Sequence, residues 1–301
     1  MITIALHEFP SAIYVGLEGE LNQKLWDQLL QRGTIKQIAI KLELPVRNIY
    51  KYKEGNSGYP LKVLQKLLRE ANLEIEKATI KTQRDGKQLK VKLPMELRED
   101  FAEFLGYLFG DGGINHQWGV HLTMNDKEVL HRFDALIRKV FGEVERKEYD
   151  YGSRMTFYYP KILGLLLNQT LRIPKSSKVE SDIEIPEDLY ESMNQEMKRR
   201  FIMAFYECDG DSKQVRIIQA GKKLDEPPRV LRQIEAMLQS FGFATIEIRP
   251  SSVYRTSKYE RRRWVLNIRN MDEKRKFKEL FSFRKLSQLN IGPRVQEQKL
   301  A

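Results

Sequence analysis

The chain of 301 residues has a single cysteine, Cys208, and no apolar run as long as a membrane span. One thiol cannot form an intrachain disulfide, and it excludes metal sites built from several thiolates. A spanning helix needs about 20 apolar residues, and the first residues lack the basic start and apolar core of a signal peptide. We therefore expect a soluble protein that works in the reducing cytoplasm.

Acidic residues are also in deficit. The chain has 41 Asp and Glu against 52 Lys and Arg, which gives a formal net charge of +11. A surplus of this size favours a polyanionic partner through long-range attraction and counterion release, and nucleic acid is the first candidate. The alternative is a charged, solvated surface with no such partner. An apolar content of 41% is enough to form folded cores.

The sequence divides into four regions. Residues 1–75 are mainly helical in pattern, and residues 76–94 contain Asp85-Gly86 between two partly alternating runs, which predicts a linking β-hairpin. Residues 95–193 and 194–301 then repeat one order of elements. The predicted elements of the first copy are helix 96–110, strand 120–123, helix 126–141, strands 144–149 and 155–158, and a helix from Pro160. Those of the second are helix 194–208, strand 215–220, helix 228–241, strands 245–249 and 264–268, and a helix from Asp272.

Each copy opens with a related motif, FLGYLFGDGG at 104–113 and IMAFYECDGD at 202–211. The third residue is small in both (Gly106, Ala204), and so is the seventh (Gly110, Cys208). The eighth is Asp and the ninth Gly in both, and the two aspartates, Asp111 and Asp209, are 209 − 111 = 98 residues apart. Small residues four apart lie on one face of a helix and let two helix backbones approach closely.

The two helices are therefore expected to cross, and Asp111 and Asp209 are expected to converge at their ends. The following glycine would let each chain turn sharply away. Acids are disfavoured at helix C-termini and beside each other, which indicates bound cations. Asp111, Asp209 and the backbone carbonyls of Gly110 and Cys208 are hard oxygen ligands that suit Mg²⁺, or Mn²⁺ in its place. A single copy would be an ordinary helix end, but two matching copies favour the site.

The paired motifs resemble the LAGLIDADG signature of homing endonucleases. The resemblance implies an α+β fold in which two pseudo-twofold-related αββαββ(α) halves form a β-saddle on the major groove of DNA. The stretches LRIPKSSKVESDIEIPEDL and LFSFRKLSQL resemble the family segments that carry a site lysine. They implicate Lys178, with Lys175 as a neighbouring candidate, and Lys285, in polarising water or stabilising charge at the phosphate; the alternative is plain phosphate contact.

Alternation along the strands divides core residues from groove-facing residues in such a saddle. Trp264, Leu266 and Ile268 are expected to face inward, as are Met155, Phe157, Val215 and Ile217. Arginine, asparagine and glutamine pair with base edges in the major groove. The alternative is an ordinary polar sheet face. The side chains expected to contact DNA are Arg154, Thr156, Gln214, Arg216, Arg261, Arg263, Asn267 and Arg269.

The segment TIKQIAIKLELPVRNIYKYKEGNSGYP resembles a helix-turn-helix of the lambda-repressor type. Ile35, Ile38, Ala39 and Leu42 would bury the first helix, and Val46, Ile49 and Tyr50 the second. Arg47, Asn48, Lys51 and Lys53 would face the DNA groove. The usual turn glycine is replaced by Glu43, so a helical packing or partner-binding module is the alternative.

The function implied is site-specific, Mg²⁺-dependent cleavage of double-stranded DNA at a long asymmetric target. One chain carries both halves, so we expect a monomer that needs only a metal as cofactor. The ends of the chain lack a splicing nucleophile and a terminal His-Asn, so we expect a freestanding protein rather than an intein. Two alternatives remain: a non-cleaving transcription regulator, because sporulation regulators similarly join these two modules, and an RNA-splicing maturase.

Overall fold

A computed structural model describes residues 2–55, 57–82, 88–175, 179, 182–211, 213–255 and 260–281 of the protein. It is an α+β structure. The helices are α1 (Gly19–Arg32), α2 (Ile35–Lys41), α3 (Val46–Lys53), α4 (Leu61–Ala71), α5 (Glu99–Phe109), α6 (Lys127–Phe141), α7 (Lys161–Leu165), α8 (Glu187–Ser192), α9 (Gln195–Asp209), α10 (Arg229–Ser240) and α11 (Met271–Leu280). The strands are β1 (Ile2–Ile4), β2 (Ile13–Gly16), β3 (Tyr59–Pro60), β4 (Lys77–Thr82), β5 (Gln88–Lys92), β6 (Met95–Leu97), β7 (Gly112–Ile114), β8 (Val120–Met124), β9 (Glu143–Val144), β10 (Lys147–Asp150), β11 (Met155–Tyr159), β12 (Arg216–Gly221), β13 (Ile246–Arg255) and β14 (Glu260–Ile268).

Helices α2 and α3 have the predicted positions and are joined by a short turn. Thr34 caps α2 by accepting a hydrogen bond from the Gln37 N–H, and Gln37 reciprocates at the Thr34 N–H. Glu43 adopts the left-handed conformation, with φ 55°, where glycine is usual. Tyr50 was wrongly expected to be buried: it is 47% exposed, and Tyr52 is buried in its place.

The predicted hairpin is antiparallel, but it is not an isolated linker. Strands β4 and β5 lie inside a five-stranded sheet of order β3-β2-β4-β5-β9. The outer strand β9 comes from the first repeated half, and α6 and α7 of that half contact the hairpin strands. The hairpin therefore attaches the N-terminal region to the first half. Its predicted turn, Asp85-Gly86, lies outside the described residues.

The two repeated halves have the same sheet order. In the first, the order is β10-β11-β8-β7, and in the second it is β13-β14-β12 followed by an isolated bridge at Gly210. The register agrees residue by residue. Gly112 pairs with Leu122, Leu122 with Phe157 and Phe157 with Glu148; the corresponding series in the second half is Gly210, Ile217, Leu266 and Ile248. The predicted duplication is confirmed.

One predicted strand is divided between two sheets. The sequence pattern predicts a single strand at 144–149, but β9 ends at Val144 and β10 begins at Lys147. The first belongs to the five-stranded sheet and the second to the sheet of the first half. Within the described part of the chain, no helix is both long and apolar enough to cross a lipid bilayer.

Candidate functional site

Helices α5 and α9 cross with their backbones in direct contact. A Cβ atom placed on Gly106 would lie 2.5 Å from the carbonyl oxygen of Phe201 and 2.7 Å from Cβ of Ala204. One placed on Gly110 would lie 2.6 Å from Sγ of Cys208. Carbon atoms normally pack at about 3.5–4.0 Å, so only glycine fits at these two positions of the first motif.

Each small residue meets its own counterpart from the other half. Gly106 contacts Ala204, the third residues of the two motifs, and Gly110 contacts Cys208, the seventh residues. Both pairs are 98 residues apart (204 − 106 and 208 − 110). Contacts of this kind at two successive helix turns require that the helices run parallel about a local twofold axis. The predicted close helix pair is confirmed, and the C-terminal ends of both helices lie together.

Asp111 and Asp209 lie at this shared end. Asp209 is the last residue of α9, and Asp111 directly follows Gly110, which caps α5. Asp111 is exposed, whereas Asp209 is half-buried and its Oδ2 is shut off from solvent. The last carbonyl groups of each helix add partial negative charge. Negative charge is therefore concentrated at one end of the helix pair of a basic protein.

The ninth-position glycines serve close packing. Gly210 has φ −76°, and neither it nor Gly112 adopts a left-handed conformation, so the sharp turn after each aspartate is made without positive φ. A Cβ atom on Gly112 would lie 2.8 Å from Cα of Leu108, and one on Gly210 would lie 2.5 Å from the carbonyl oxygen of Tyr206. Both glycines let the chain after the aspartate fold back against its own helix.

The site residues fit a hard divalent cation that keeps part of its ligand shell outside the protein. Among the described residues, no group of three or more His, Cys, Asp or Glu side chains could hold a metal ion alone. Mg²⁺ is usually bound by one or two carboxylates together with water and substrate phosphates. Asp111 and Asp209, with the helix-end carbonyls of Gly110 and Cys208, correspond to that donor set.

A third acid, Asp211, orders the loop after the second motif, and the sequence interpretation missed it. Its carboxylate accepts hydrogen bonds from the Lys213 N–H at 2.6 Å and from Arg216 Nε at 2.7 Å. Burial opposes ionisation of Asp211, but these two donors hold its pKa below the ordinary value. The Tyr206 hydroxyl lies 2.7 Å from the Asp211 carbonyl oxygen and 2.8 Å from that of Gln214. The signal was the CDGD sequence, since the first copy has GDGG.

The structure does not place the two lysines of the family resemblance. Lys178 and Lys285 both lie outside the described residues. The neighbouring candidate Lys175 is described, and its ammonium group lies 3.8 Å from the ring centroid of Trp118. Its side chain is therefore engaged by an aromatic ring in the loop that connects β7 and β8.

The side chains expected to contact DNA differ in exposure. Trp264, Leu266 and Ile268 are buried as expected. Among the expected outward residues, Arg154, Gln214, Arg263 and Arg269 are exposed, Arg216 and Asn267 are half-buried, and Thr156 and Arg261 are buried. Arg261 has 7% of its surface exposed and departs from the expected outward placement. Arg216 is paired with Asp211, and Arg269 is paired with Glu247 at 2.7 Å.

In the N-terminal region, Arg47 and Lys51 are exposed on α3, and Asn48 is half-buried. Helix α3, which carries them, begins at Val46 directly after its N-cap residue Pro45. The apolar residues Ile38, Ala39 and Ile49 are buried between the helices. The packing is that of two short helices with a cationic outer surface on the second.

No protein-family model matches the chain. Three curated relatives are similar over part of it. They are the small subunit of replication factor C from Methanocaldococcus jannaschii (28% identical over 137 residues, 44% of this chain), a DNA polymerase from Thermococcus sp. strain GE8 (30% over 174 residues, 54%) and an A-type ATP synthase subunit from Pyrococcus abyssi (30% over 128 residues, 42%). The chain spans only 7%, 9% and 12% of these relatives, respectively.

Two solved structures are similar to part of this chain at low sequence identity. A variant of the homing endonuclease I-DmoI in complex with its nicked target DNA and Mn is 18% identical, with 65% of this chain and 100% of that chain covered and a TM-score of 0.44. The N-terminal LAGLIDADG domain of WhiA is 10% identical, with 64% and 87% covered and a TM-score of 0.36.

Proposed function

We propose that this protein is a LAGLIDADG-type endonuclease that cuts double-stranded DNA at a specific, asymmetric site. The observation that carries the proposal is the contact between equivalent residues of the two motifs, Gly106 with Ala204 and Gly110 with Cys208. That contact brings the ends of two parallel helices together, and each end carries an aspartate. A twofold-related pair of acids corresponds to the near-twofold arrangement of two antiparallel DNA strands.

The matches to curated relatives agree with a transferable module. In each of the three relatives the match covers only about a tenth of the protein, and their names differ. We infer that each match is to a short module with a function separate from that of the whole relative. Invasion of unrelated coding sequences is what a site-specific DNA endonuclease of the homing type would achieve.

In the proposed reaction, Asp111 and Asp209 would hold a divalent metal ion at the helix ends. When bound, such an ion would supply activation of water and stabilisation of the charge that develops at the phosphate. Asp211, held by Arg216, fixes the loop that follows Asp209 and so keeps that carboxylate at the helix end. The proposed lysines Lys178 and Lys285 add positive charge at the phosphate.

The remaining cationic surfaces complete the proposal. We assign DNA contact to the exposed arginines Arg154, Arg263 and Arg269, and phosphate or groove contact to Arg47 and Lys51 of the helix-turn-helix-like pair α2 and α3. The two internal halves replace two protomers, so one chain suffices for one target. Replacement of Arg47 and Lys51 by alanine is expected to lower DNA affinity. It should also reduce the slope of log affinity against log salt concentration by the amount that about two phosphate contacts contribute.

The test is incubation of the protein with Mg²⁺ and a randomised library of duplex DNA, followed by sequencing of the cut ends. The wild type is expected to produce double-strand breaks at one defined site. Asp111→Asn and Asp209→Asn should each slow cleavage by about 100-fold or more while DNA binding persists. Asp27→Asn, an exposed position on α1 with the same change of charge, is the matched control.

The second candidate function is a non-cleaving, DNA-binding regulator. One observation favours it: Oδ2 of Asp209 is closed off from solvent, which makes one of the two acids less accessible to a cation. Tight binding of a specific duplex by the wild type without any strand break would establish the regulator and reject the nuclease. Selective binding of a folded intron RNA in place of duplex DNA would reject both in favour of the maturase.

A further inference from the structure

A cleft of about 530 Å³ lies at one edge of the first half, outside the helix-end site. It is bounded by the loop between β7 and β8, by strand β10 and by the end of β11. Phe157 and Tyr159 of β11 pack towards α6, where they contact His131 and Phe133. Tyr158 lies between them in sequence and therefore points to the opposite face of the sheet, into this cleft.

Aromatic rings form much of the cleft wall. Trp118, Tyr149 and Tyr158 line it, and Tyr149 keeps 42% of its surface exposed. The rings of Tyr149 and Tyr158 meet edge to face, with centroids 6.4 Å apart. Tyr158 is fixed further by Asn115, whose side-chain amide donates to its hydroxyl at 2.7 Å. The wall of the cleft therefore consists of aromatic rings in fixed positions, of which the ring of Tyr149 faces solvent.

Trp118 is held in a costly backbone conformation. Its φ is 68°, a region that bulky residues rarely enter. The Asn115 side chain fixes the loop by accepting from the N–H groups of Gln117 and Gly119, both at 2.9 Å. Strain of this kind persists where the surroundings over-determine it, often at ligand sites. The loop therefore presents the indole ring at a fixed place on the cleft wall.

The cleft also carries positive charge. Lys147 and Lys161 line it, and the ammonium group of Lys175 lies 3.8 Å from the centroid of the Trp118 ring. Glu145 is the one acidic residue in the described lining. Three cations against one carboxylate favour an anionic ligand, and the rings favour one that also has a flat face.

The second half has a different set of side chains at the equivalent positions. Tyr158 directly follows Phe157, which pairs with Leu122, and Asn267 directly follows Leu266, which pairs with Ile217, so Tyr158 and Asn267 occupy equivalent positions. Lys147 pairs with Tyr158 and Glu247 pairs with Asn267, so Lys147 and Glu247 are equivalent as well. The second half therefore lacks these rings at the same sheet positions.

We propose that this cleft binds an unpaired nucleobase and its adjoining phosphate, so that the protein holds a single-stranded segment of nucleic acid. Stacking on aromatic rings beside lysines is how strands are bound without reading their sequence. A base inside a duplex does not offer its flat faces to a side chain, whereas an unpaired base does. The site is separate from Asp111 and Asp209, and the inference does not depend on DNA cleavage.

The test measures the affinity of the full-length protein for fluorescently labelled ten-residue oligothymidylate and oligouridylate, with a duplex of matched length alongside. The informative variant is Trp118→Gly, because glycine accepts a positive φ and should preserve the loop while the ring is removed. Loss of one stacked base is expected to weaken single-strand binding roughly 5- to 100-fold with little effect on duplex binding. Lys147→Ala should reduce the salt dependence of single-strand binding.

Tyr151→Ala is the matched control, because Tyr151 is 68% exposed beside the cleft strands and is absent from the cleft lining. It should bind single strands as the wild type does. Weakening of either oligomer by Trp118→Gly supports the proposal, and the stronger of the two identifies the preferred sugar. Wild-type single-strand affinity in Trp118→Gly, or an equal loss for duplex, would overturn it. Single-strand binding is measured without Mg²⁺ and without cleavage, so failure of the nuclease proposal would be recognised separately.

Discussion

The two halves of the duplication share their interiors and differ on their surfaces. Leu122 and Phe157 in the first half correspond to Ile217 and Leu266 in the second, and all four are buried. The next row of paired strand residues differs between the halves. In the first half it consists of Gly113, His121, Tyr158 and Lys147, and in the second of Asp211, Arg216, Asn267 and Glu247.

The difference shows which constraints act at each level. Packing at the twofold axis admits only small residues, and the buried positions of the core rows hold apolar residues in both halves. The outer rows are less buried and differ between the halves, with aromatic rings in the first and ion-paired polar groups in the second. A protein with such unlike faces is suited to an asymmetric partner.

The largest expected effect is at the axis. Gly106→Ala places a Cβ atom 2.5 Å from a backbone carbonyl oxygen, so we expect a loss of about 3 kcal/mol in the free energy of unfolding. Urea denaturation measures it. Ala204→Gly, the change at the equivalent residue, should cost only about 1 kcal/mol, mainly in helix propensity.

The double variant Gly106→Ala/Ala204→Gly sharpens the comparison. It removes one of the clashing atoms but leaves the Phe201 carbonyl, so it should lose less than the sum of the single variants. The control is Gly19→Ala on α1, where an added Cβ meets no atom within 4 Å. If Gly106→Ala were as harmless as that control, the close helix pair would be wrong.

An intermediate effect is expected within β14. Arg263 is exposed and Arg261 is buried, although both were expected to contact DNA. Arg263→Ala should weaken duplex binding by about 1 kcal/mol and leave the melting temperature nearly unchanged. Arg261→Ala should instead lower stability by about 1–2 kcal/mol through lost packing. Fluorescence anisotropy and thermal melting separate the two, and a reversal of the two phenotypes would refute the assignment.

The smallest effect is expected at the opposite end of the helix pair, where ion pairs connect the halves. Arg200 of the second half contacts Glu103 of the first at 3.0 Å and its own Glu196 at 2.9 Å. Hydrogen bonds from Arg199, followed by Arg200, lower the pKa of Glu196 to about 2. Its stabilising contribution is therefore complete above its ordinary pKa near 4.5 and is lost as the pH falls towards 2.

Because Glu196 is 40% exposed, its ion pairs should contribute only about 1 kcal/mol. Urea denaturation at pH 7 and pH 3 should show that the free energy of unfolding decreases less between these two pH values for Glu196→Gln than for the wild type. The equivalent of Arg200 in the first half is Ala102, so this connection has no counterpart there. Identical pH dependence of the two proteins would contradict this role of Glu196.

Much of the fold could be predicted because its signals are local or repeated. Helix periodicity located α5, α6, α9 and α10, and the 98-residue repeat identified the helix pair. Pairings between distant strands could not be predicted: Val144 and Lys147 are neighbours in sequence but belong to different sheets. No local pattern distinguishes such a division from one continuous strand.

The candidate site was predicted where the motif itself specifies geometry. Asp111 and Asp209 follow from the repeat, but the burial of Arg261 does not, since alternation gives the same parity to Arg261 and Arg263. Trp118 was missed because its role depends on a loop fixed by Asn115 and on Lys175, which is distant in sequence. Sites assembled from separate loops leave no periodic signal.

The most direct test of the central claim measures the affinity of Mn²⁺ for the complex of the protein with the duplex that it selects. The electron paramagnetic resonance signal of free Mn²⁺ reports how much of the ion remains unbound. If Asp111 and Asp209 share one site at the helix ends, Asp111→Asn and Asp209→Asn should each weaken Mn²⁺ binding by about tenfold or more, and Asp27→Asn should have no effect. Wild-type Mn²⁺ affinity in either site variant would contradict a metal site built from the two acids.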